Sequence, residues 1–374
     1  MELTIIIDYI IISIIASMAI NSILRNYARR YHLLIDLPDR SRKFHKRATP
    51  LTGGIGILVA LLISGKLYID LNNLNGFVPD FTYQLMVISI PLLGLFLVDD
   101  FLKGRKENGL IHELQSKYKL TGLKAYQRLL IQSVLAIYMI LTTDVELSTL
   151  GNLFGFGEIN LGIFSIPFTV FCVVGIMNAF NMIDGINGLC SGCAMLSLLL
   201  IGFYSGLIYD SMLVLGIGSM IGFLIFNLRL FGKKRGVFLG DSGSNLMGFW
   251  VAWSAIYASQ NTFYNIEPIT IMWFVAIPFL DCIGLIFSRI KKGVRLTAAG
   301  RDHIHHKLMK KFSPEGTLLI ILMITLITGF FGIYIENNFP AWVSLLLFLI
   351  YSILYFIFAS YYERNKTAGG KENV

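Results

Sequence analysis

Two adjacent carboxylates, Asp99 and Asp100, close an apolar run that ends Leu-Phe-Leu-Val-Asp-Asp. Consecutive helical positions diverge by about 100°, so the pair faces two different groups. One suits a hard cation, and the other suits contact with or activation of a nucleophile. Acids at a helix C-terminus also oppose its dipole. The plain alternative is two acids reaching for the membrane boundary. A second segment, Asn178-Ala-Phe-Asn181-Met-Ile-Asp184-Gly185-Ile-Asn187-Gly188, places Asn178, Asn181 and Asp184 on one helical stripe. Amide and carboxylate groups there suit hydrogen bonds to a nucleotide or sugar; the alternative is capping, with Asn187 a natural N-cap for the following apolar run. A third, Phe238-Leu-Gly240-Asp241-Ser242-Gly243-Ser244, is a glycine-rich turn opening another apolar run. Free amides and the positive end of a helix dipole would meet an anion there. Asp241 in that setting suits Mg²⁺ held against phosphate oxygens, or else caps the helix. Asn227 lies eleven residues before Phe238, with Lys233, Lys234 and Arg235 between them.

Two basic segments accompany these. The stretch from Asp36 to Gly54 contains Lys43, His45 and Lys46, followed by Thr52-Gly53-Gly54. The cations suit phosphate, and the glycines permit close backbone approach to a ligand; the alternative is a basic stop-transfer cluster. Arg301-Asp302-His303-Ile-His305-His306 lacks the spacing of tetrahedral zinc sites. Beside an arginine, the histidines read as donors to phosphate or base edges, or as a solvated basic loop.

The elements that must carry these groups are hydrophobic. Of the 374 residues, 55% are hydrophobic and 14% charged, with a mean hydropathy of +0.68. A soluble domain has about 25% charged residues. Disorder, a collagen-like fibre and a disulfide scaffold are excluded. Runs near the roughly 20 residues needed to cross a bilayer recur throughout. The expected class is all-α: a polytopic membrane protein with eleven transmembrane helices at 4–24, 52–69, 83–98, 129–147, 161–180, 188–208, 212–231, 243–260, 269–288, 317–335 and 342–361. With the N-terminus outside and the C-terminus cytoplasmic, 30 of the 31 Lys and Arg residues fall on inner segments, and Lys66 alone lies outside. That asymmetry is the positive-inside pattern. It assigns the net charge of +8 to a membrane face rather than to nucleic acid. The first span reads as a retained anchor. Cys172, Cys190, Cys193 and Cys282 read as small buried residues with no redox or metal role. Residues 1–361 read as one transmembrane catalytic domain, with active-site loops 25–51, 99–128, 181–187, 232–242 and 289–316, ahead of a polar, disordered tail at 362–374. All five segments fall on the inner face. A transporter, the rival class, would place polar groups and repeats near the midplane.

RKFH, VDD, NAFNMIDG, FLGDSGS and HIHH, in that order between Asp36 and His306, resemble the signature segments of the polyprenyl-phosphate N-acetylhexosamine-1-phosphate transferases. The likeness is closest to the WecA/TagO branch, with the phospho-MurNAc-pentapeptide translocases as cousins. It implies a bacterial inner-membrane enzyme whose cytoplasmic site transfers N-acetylhexosamine-1-phosphate from a UDP-sugar to undecaprenyl phosphate. UMP is released and a lipid-linked surface glycan is begun. The donor implied is UDP-GlcNAc, with GalNAc, FucNAc or QuiNAc as alternatives. The resemblance further implies Mg²⁺, with Mn²⁺ as a substitute, held by Asp241 with Asp99 and Asp100, which also serve the lipid phosphate. It implies that Asn178, Asn181 and Asp184 contact the nucleotide-sugar and that Asn227 and Phe238 border the uridine. Arg301, His303, His305 and His306 would meet the pyrophosphate. Asn187 stands where the family usually has aspartate, so hydrogen bonding is kept there and charge is lost.

Lys66 tests the topology. Lys66→Glu, on the far side from the site, is expected to leave UMP release within about twofold of the parent, as for an uninvolved surface position. An inactive but folded variant would overturn the assigned orientation.

Overall fold

The computed structural model describes residues 3–37, 47–71, 80–103, 122–209, 211–263, 266–295 and 302–368. Its helices are α1 (Leu3–Tyr31), α2 (Gly53–Leu71), α3 (Asp80–Lys103), α4 (Ala125–Thr143), α5 (Ser165–Ile183), α6 (Leu189–Ser205), α7 (Ser211–Asn227), α8 (Gly240–Gln260), α9 (Pro268–Phe274), α10 (Ala276–Lys291), α11 (Ile304–Leu308), α12 (Pro314–Asn338) and α13 (Ala341–Ala368). A two-residue antiparallel ladder pairs β1 (Ile35–Asp36) with β2 (Thr49–Pro50). Seven helices are long and apolar enough to cross a membrane, α1 to α5, α12 and α13; the α9–α10 pair is an eighth if it counts as one span. Shorter apolar helices, α6 and α7, accompany them.

The centre of the bundle is α8. From Ser242 to Ala258 every residue but Tyr257 is buried. Because protein surrounds it, α8 carries Ser, Gly and Asn without exposing them to lipid. It packs on α3 and α5 and also touches α2 and α6. The lipid-facing helices show the opposite pattern, with Leu319, Ile327 and Phe330 of α12 each 62% exposed. Hydroxyl groups join α1 to α7: Ser13 Oγ donates to the Leu215 carbonyl at 2.6 Å, and Ser17 Oγ to that of Ser219 at 2.7 Å. Small polar residues of this kind permit close helix contact where lipid supplies no hydrophobic drive.

Two expectations change. The stretch expected as one helix over 269–288 is two helices meeting at 85°. Pro278 is the physical reason. It has no N–H for the Phe274 carbonyl, and its ring excludes that carbonyl from a continuous helix. Ser197 Oγ on α6 donates to the Phe274 carbonyl instead, at 2.8 Å. The tail expected to be disordered from 362 is helical to Ala368, because α13 continues past its apolar stretch. The helix ends also shift by a few residues, as at α4, which runs 125–143 rather than 129–147.

Ser197→Ala removes the replacement donor and leaves a buried carbonyl unsatisfied. Stability should fall by about 1–2 kcal/mol, read as a lower midpoint in thermal unfolding in detergent. An unchanged midpoint would mean that the bend does not depend on this bond.

Candidate active site

The end of α3 meets the start of α8. Asp100 turns toward α8, and its carboxylate accepts from the Asp241 amide at 3.1 Å and the Ser242 amide at 3.0 Å. This satisfies the orphan amides of a buried helix start and sets negative charge at the positive end of its dipole. Two of the amides expected to be free for an anion are therefore already engaged, and Asp100 rather than Asp241 caps the helix. Gly240 supports this junction with a φ of +78°. Asp99 diverges as the helical rotation requires. It is 0% exposed, accepts from the Leu123 amide at 2.7 Å and pairs with Arg128 Nη2 at 2.9 Å. Arg128 Nη1 lies 3.4 Å from Asp241. Arg128, at the start of α4, thus joins two of the expected acids.

The glycines of the first basic segment do something other than approach a ligand. The amides of Gly53 and Gly54 donate to the carbonyls of Phe238 and Leu239, at 2.9 and 3.3 Å, and the Phe238 amide donates to Pro50 at 2.8 Å. A Cβ on Gly54 would stand 2.7 Å from Gly243 Cα. These glycines let the start of α2 lie directly against the loop that carries Asp241. Lys43, His45 and Lys46, like Arg301, lie outside the described residues.

The polar stripe on α5 divides. Asn178 donates to Gln132 Oε1 at 2.8 Å, and Gln132 donates to Asn245 Oδ1 at 2.7 Å. Asn245 in turn donates to the Asp241 carbonyl at 2.7 Å. Asn178 therefore joins helices α4, α5 and α8. Asn181 donates to Ser244 Oγ at 2.8 Å, beside the same turn of α8. Beyond them Asp184 faces the open cavity. Its deep setting first, and the charges of Asp241 and Asp100 next, push it up to about 7. The side chain is exposed to the cavity, which weakens the first cause, so the neighbouring carboxylates carry more of the effect. Asn187 also borders the cavity and is not the N-cap of α6; that place is taken by Gly188, with a φ of +81°. Asn227 holds two loops together, accepting from the Gly188 amide and donating to the Val237 carbonyl at 2.9 Å.

The histidine segment is held from below by a carboxylate absent from the sequence reading. Asp281 of α10 meets His303 Nδ1 at 2.8 Å, accepts from the Ile304 amide at 2.8 Å and receives the Tyr355 hydroxyl of α13 at 3.3 Å. His303 thereby starts α11. His305 is packed over Gly185, where an added Cβ would overlap its ring. Burial, followed by His306 and His303, brings His305 down to about 3, so it is neutral at physiological pH. Both of its ring nitrogens are buried without hydrogen-bond partners among the described residues. Of the three histidines, His306 borders the cavity.

These pieces enclose a cavity of about 790 Å³ lined by Asp36, Asp100, Asp184, Asn187, Asn227, Arg229, Lys233, Phe238, Asp241, His306 and Glu315, among others. Its size is that of an ordinary small-molecule site. Asp99 and Asn178 do not line it. Among the described residues no three Asp, Glu, His or Cys side chains form a metal centre by themselves. The donor set nevertheless fits Mg²⁺. That ion takes one or two carboxylates and fills its remaining positions with water and substrate phosphates. Asp100, Asp184 and Asp241 present hard oxygen donors in one cavity, and Asp184 responds to the other two as uncompensated negative charge.

Asp281→Asn should remove the charge that holds His303 and lower catalytic turnover by about tenfold or more, in the range for losing a charge-assisted hydrogen bond. The rate is read beside a thermal midpoint. Full turnover in the folded variant would remove Asp281 from the support of this segment.

Residues 81–259 match the family described as Glycosyl transferase family 4, a range that holds Asp99, Asp100, Asp184 and Asp241. Curated relatives named undecaprenyl-phosphate alpha-N-acetylglucosaminyl 1-phosphate transferase extend the match over most of the chain. The Salmonella typhi protein is 30% identical over 339 residues, covering 88% of this chain and 85% of its own. That of Yersinia pestis is 30% identical over 341 residues with the same coverage. The Haemophilus influenzae protein is 31% identical over 335 residues, covering 85% of each. With its carboxylates inside the matched range and its length spanned by such relatives, the chain belongs to glycosyl transferase family 4 and is a glycosyl-1-phosphate transferase.

Proposed function

We propose that this protein transfers N-acetylglucosamine-1-phosphate from UDP-N-acetylglucosamine to undecaprenyl phosphate at the cytoplasmic face of a bacterial inner membrane. The observation that carries this reading is the convergence of Asp100, Asp184 and Asp241 on one cavity that also holds Asn187, Phe238 and His306. The proposal includes a single catalytic domain over 1–361, eleven membrane crossings, an outer N-terminus and an inner C-terminus. The basic residues gathered around the site then meet two anionic substrates and the anionic inner leaflet together.

An oxygen of the lipid phosphate attacks the phosphorus bonded to the sugar. The bond from that phosphorus to the UMP oxygen breaks, and UMP leaves with the electron pair. The attacking phosphate is already ionised at neutral pH, so the chief requirement is to bring two anions together. Asp241 and Asp184, with Asp100 beside them, would hold Mg²⁺. When bound, the ion neutralises the pyrophosphate and the charge that develops on the departing oxygen. Asp100 fixes the start of α8, and Arg128 orients Asp241 while offsetting Asp99. Asn187 and Phe238 border the nucleotide-sugar, with Asn227 setting the loop that carries Phe238. Lys43, His45, Lys46 and Arg301, which lie outside the described residues, would neutralise phosphate. His306 faces the pyrophosphate, and His303 and His305 shape the segment behind it. Asn181 and Asn178 keep α5 in register with α8.

Asp241→Asn should lower UMP release by at least ~10²-fold without changing the thermal midpoint, and EDTA should abolish release from the parent protein. A panel of UDP-N-acetylhexosamines with undecaprenyl phosphate and Mg²⁺ should give the highest rate with the GlcNAc donor. Full activity in EDTA would overturn the metal assignment, and a faster rate with another UDP-sugar would overturn the donor.

A further inference from the structure

A second basic cluster lies at the end of α1. Arg25 is 8% exposed. Its Nε and Nη2 donate to Asn26 Oδ1 at 3.1 and 2.8 Å, and Nη2 reaches Ser22 Oγ at 3.3 Å. Its guanidinium carbon stands 5.5 Å from the centre of the Phe226 ring on α7. The remaining Nη1 is buried with no hydrogen-bond partner among the described residues. Arg29, one helical turn onward, and Arg235, in the short turn Lys233–Arg235 that follows α7, are both near enough to repel Arg25. Among the described residues, no carboxylate pairs with any of the three.

Three like charges around an idle, enclosed donor are unfavourable unless an anion joins them. The surroundings indicate what kind of anion. Ile23 is 66% exposed and Tyr27 is 55% exposed, so the last turns of α1 present apolar and aromatic side chains to lipid. Tyrosines at such a helix end mark the boundary between hydrocarbon and headgroups. The catalytic cavity uses Arg229 and Lys233 and none of these three arginines. Basic pockets between helices on the cytoplasmic side of a membrane suit lipid headgroups. We infer that Arg25, Arg29 and Arg235 form a binding site for the phosphate headgroup of an anionic membrane phospholipid, which ties α1 to the turn after α7. The site is separate from the transfer reaction, and its test is independent of turnover.

The test uses the purified full chain, with binding of phosphatidylglycerol and phosphatidylcholine compared by native mass spectrometry. The parent protein should retain phosphatidylglycerol preferentially. Arg29→Gln and Arg235→Gln, at partly or fully exposed positions, should each weaken that binding by about fivefold, and Arg29→Lys should restore most of it. A folded Arg29→Gln/Arg235→Gln protein with undiminished preference would overturn the proposal. Should the double variant not fold, equal retention of the two lipids by the parent protein would overturn it as well. In a further arm, inorganic phosphate is added to the parent protein. If it displaces phosphatidylglycerol at comparable concentration, the site takes free anions and the lipid assignment fails; no displacement supports the lipid.

Discussion

The bonds between the Asp100 carboxylate and the first amides of α8 fix the geometry of the site. A helix start enclosed by protein has amides that water cannot reach, and α8 supplies no side-chain cap of its own. Asp100 satisfies two of them from another helix. The acid is unfavourable at the end of α3, and that cost is offset because the positive end of α8 stands opposite. One contact therefore determines how far α8 projects, which way Asp241 points and where Asp99 must face. The close pass of Gly54 against Gly243 then holds the loop before α8 from its other side.

Charge balance follows from this geometry. Asp99, Asp100, Asp184 and Asp241 lie near one helix junction, and Arg128 is the cation seen to pair there among the described residues. It stands 2.9 Å from Asp99 and 3.4 Å from Asp241. Asp100 accepts from two helix-start amides, yet together with Asp241 it still sets negative charge against Asp184. Burying such charges unanswered is costly. A divalent ion would relieve the excess at its centre. The same excess that makes the junction electrostatically tense would suit a hard cation.

The sequence revealed the long apolar helices because lipid requires such runs, and the run at 243–260 marked α8 as well, although a helix wrapped in protein need not be uniformly apolar. It could not show the bend at Val275. A proline in an apolar run reads the same whether the helix tolerates it or breaks, and the outcome depends on Ser197, some eighty residues earlier. The stripe of Asn178, Asn181 and Asp184 showed which residues share a face but not what that face meets. At Asn178 it meets Gln132, and the cavity begins only at Asp184. Arg128 was legible as one more basic residue of the inner side, with nothing to mark its two partners. Asp281 was visible in principle, because an ionisable residue inside an apolar run is expected to have a buried partner. Its partner His303 lies in the histidine segment 301–306.

Asp281 also shows why the bend and the site belong together. The break before α10 turns that helix by 85° from α9, so its course is set independently of the apolar segment that precedes it. Along that course Asp281 reaches the start of α11 and the Tyr355 hydroxyl at once. A straight helix would give Asp281 a different position relative to α13, and the three hydrogen bonds could not all be kept. The proline, the hydroxyl that replaces its missing donor and the buried carboxylate thus form one chain of dependence. It begins at α6 and ends where His305 packs over Gly185, the residue next to Asp184. The two sides of the cavity are set by the same device: a carboxylate from one helix satisfying the amides that start another, Asp100 for α8 and Asp281 for α11.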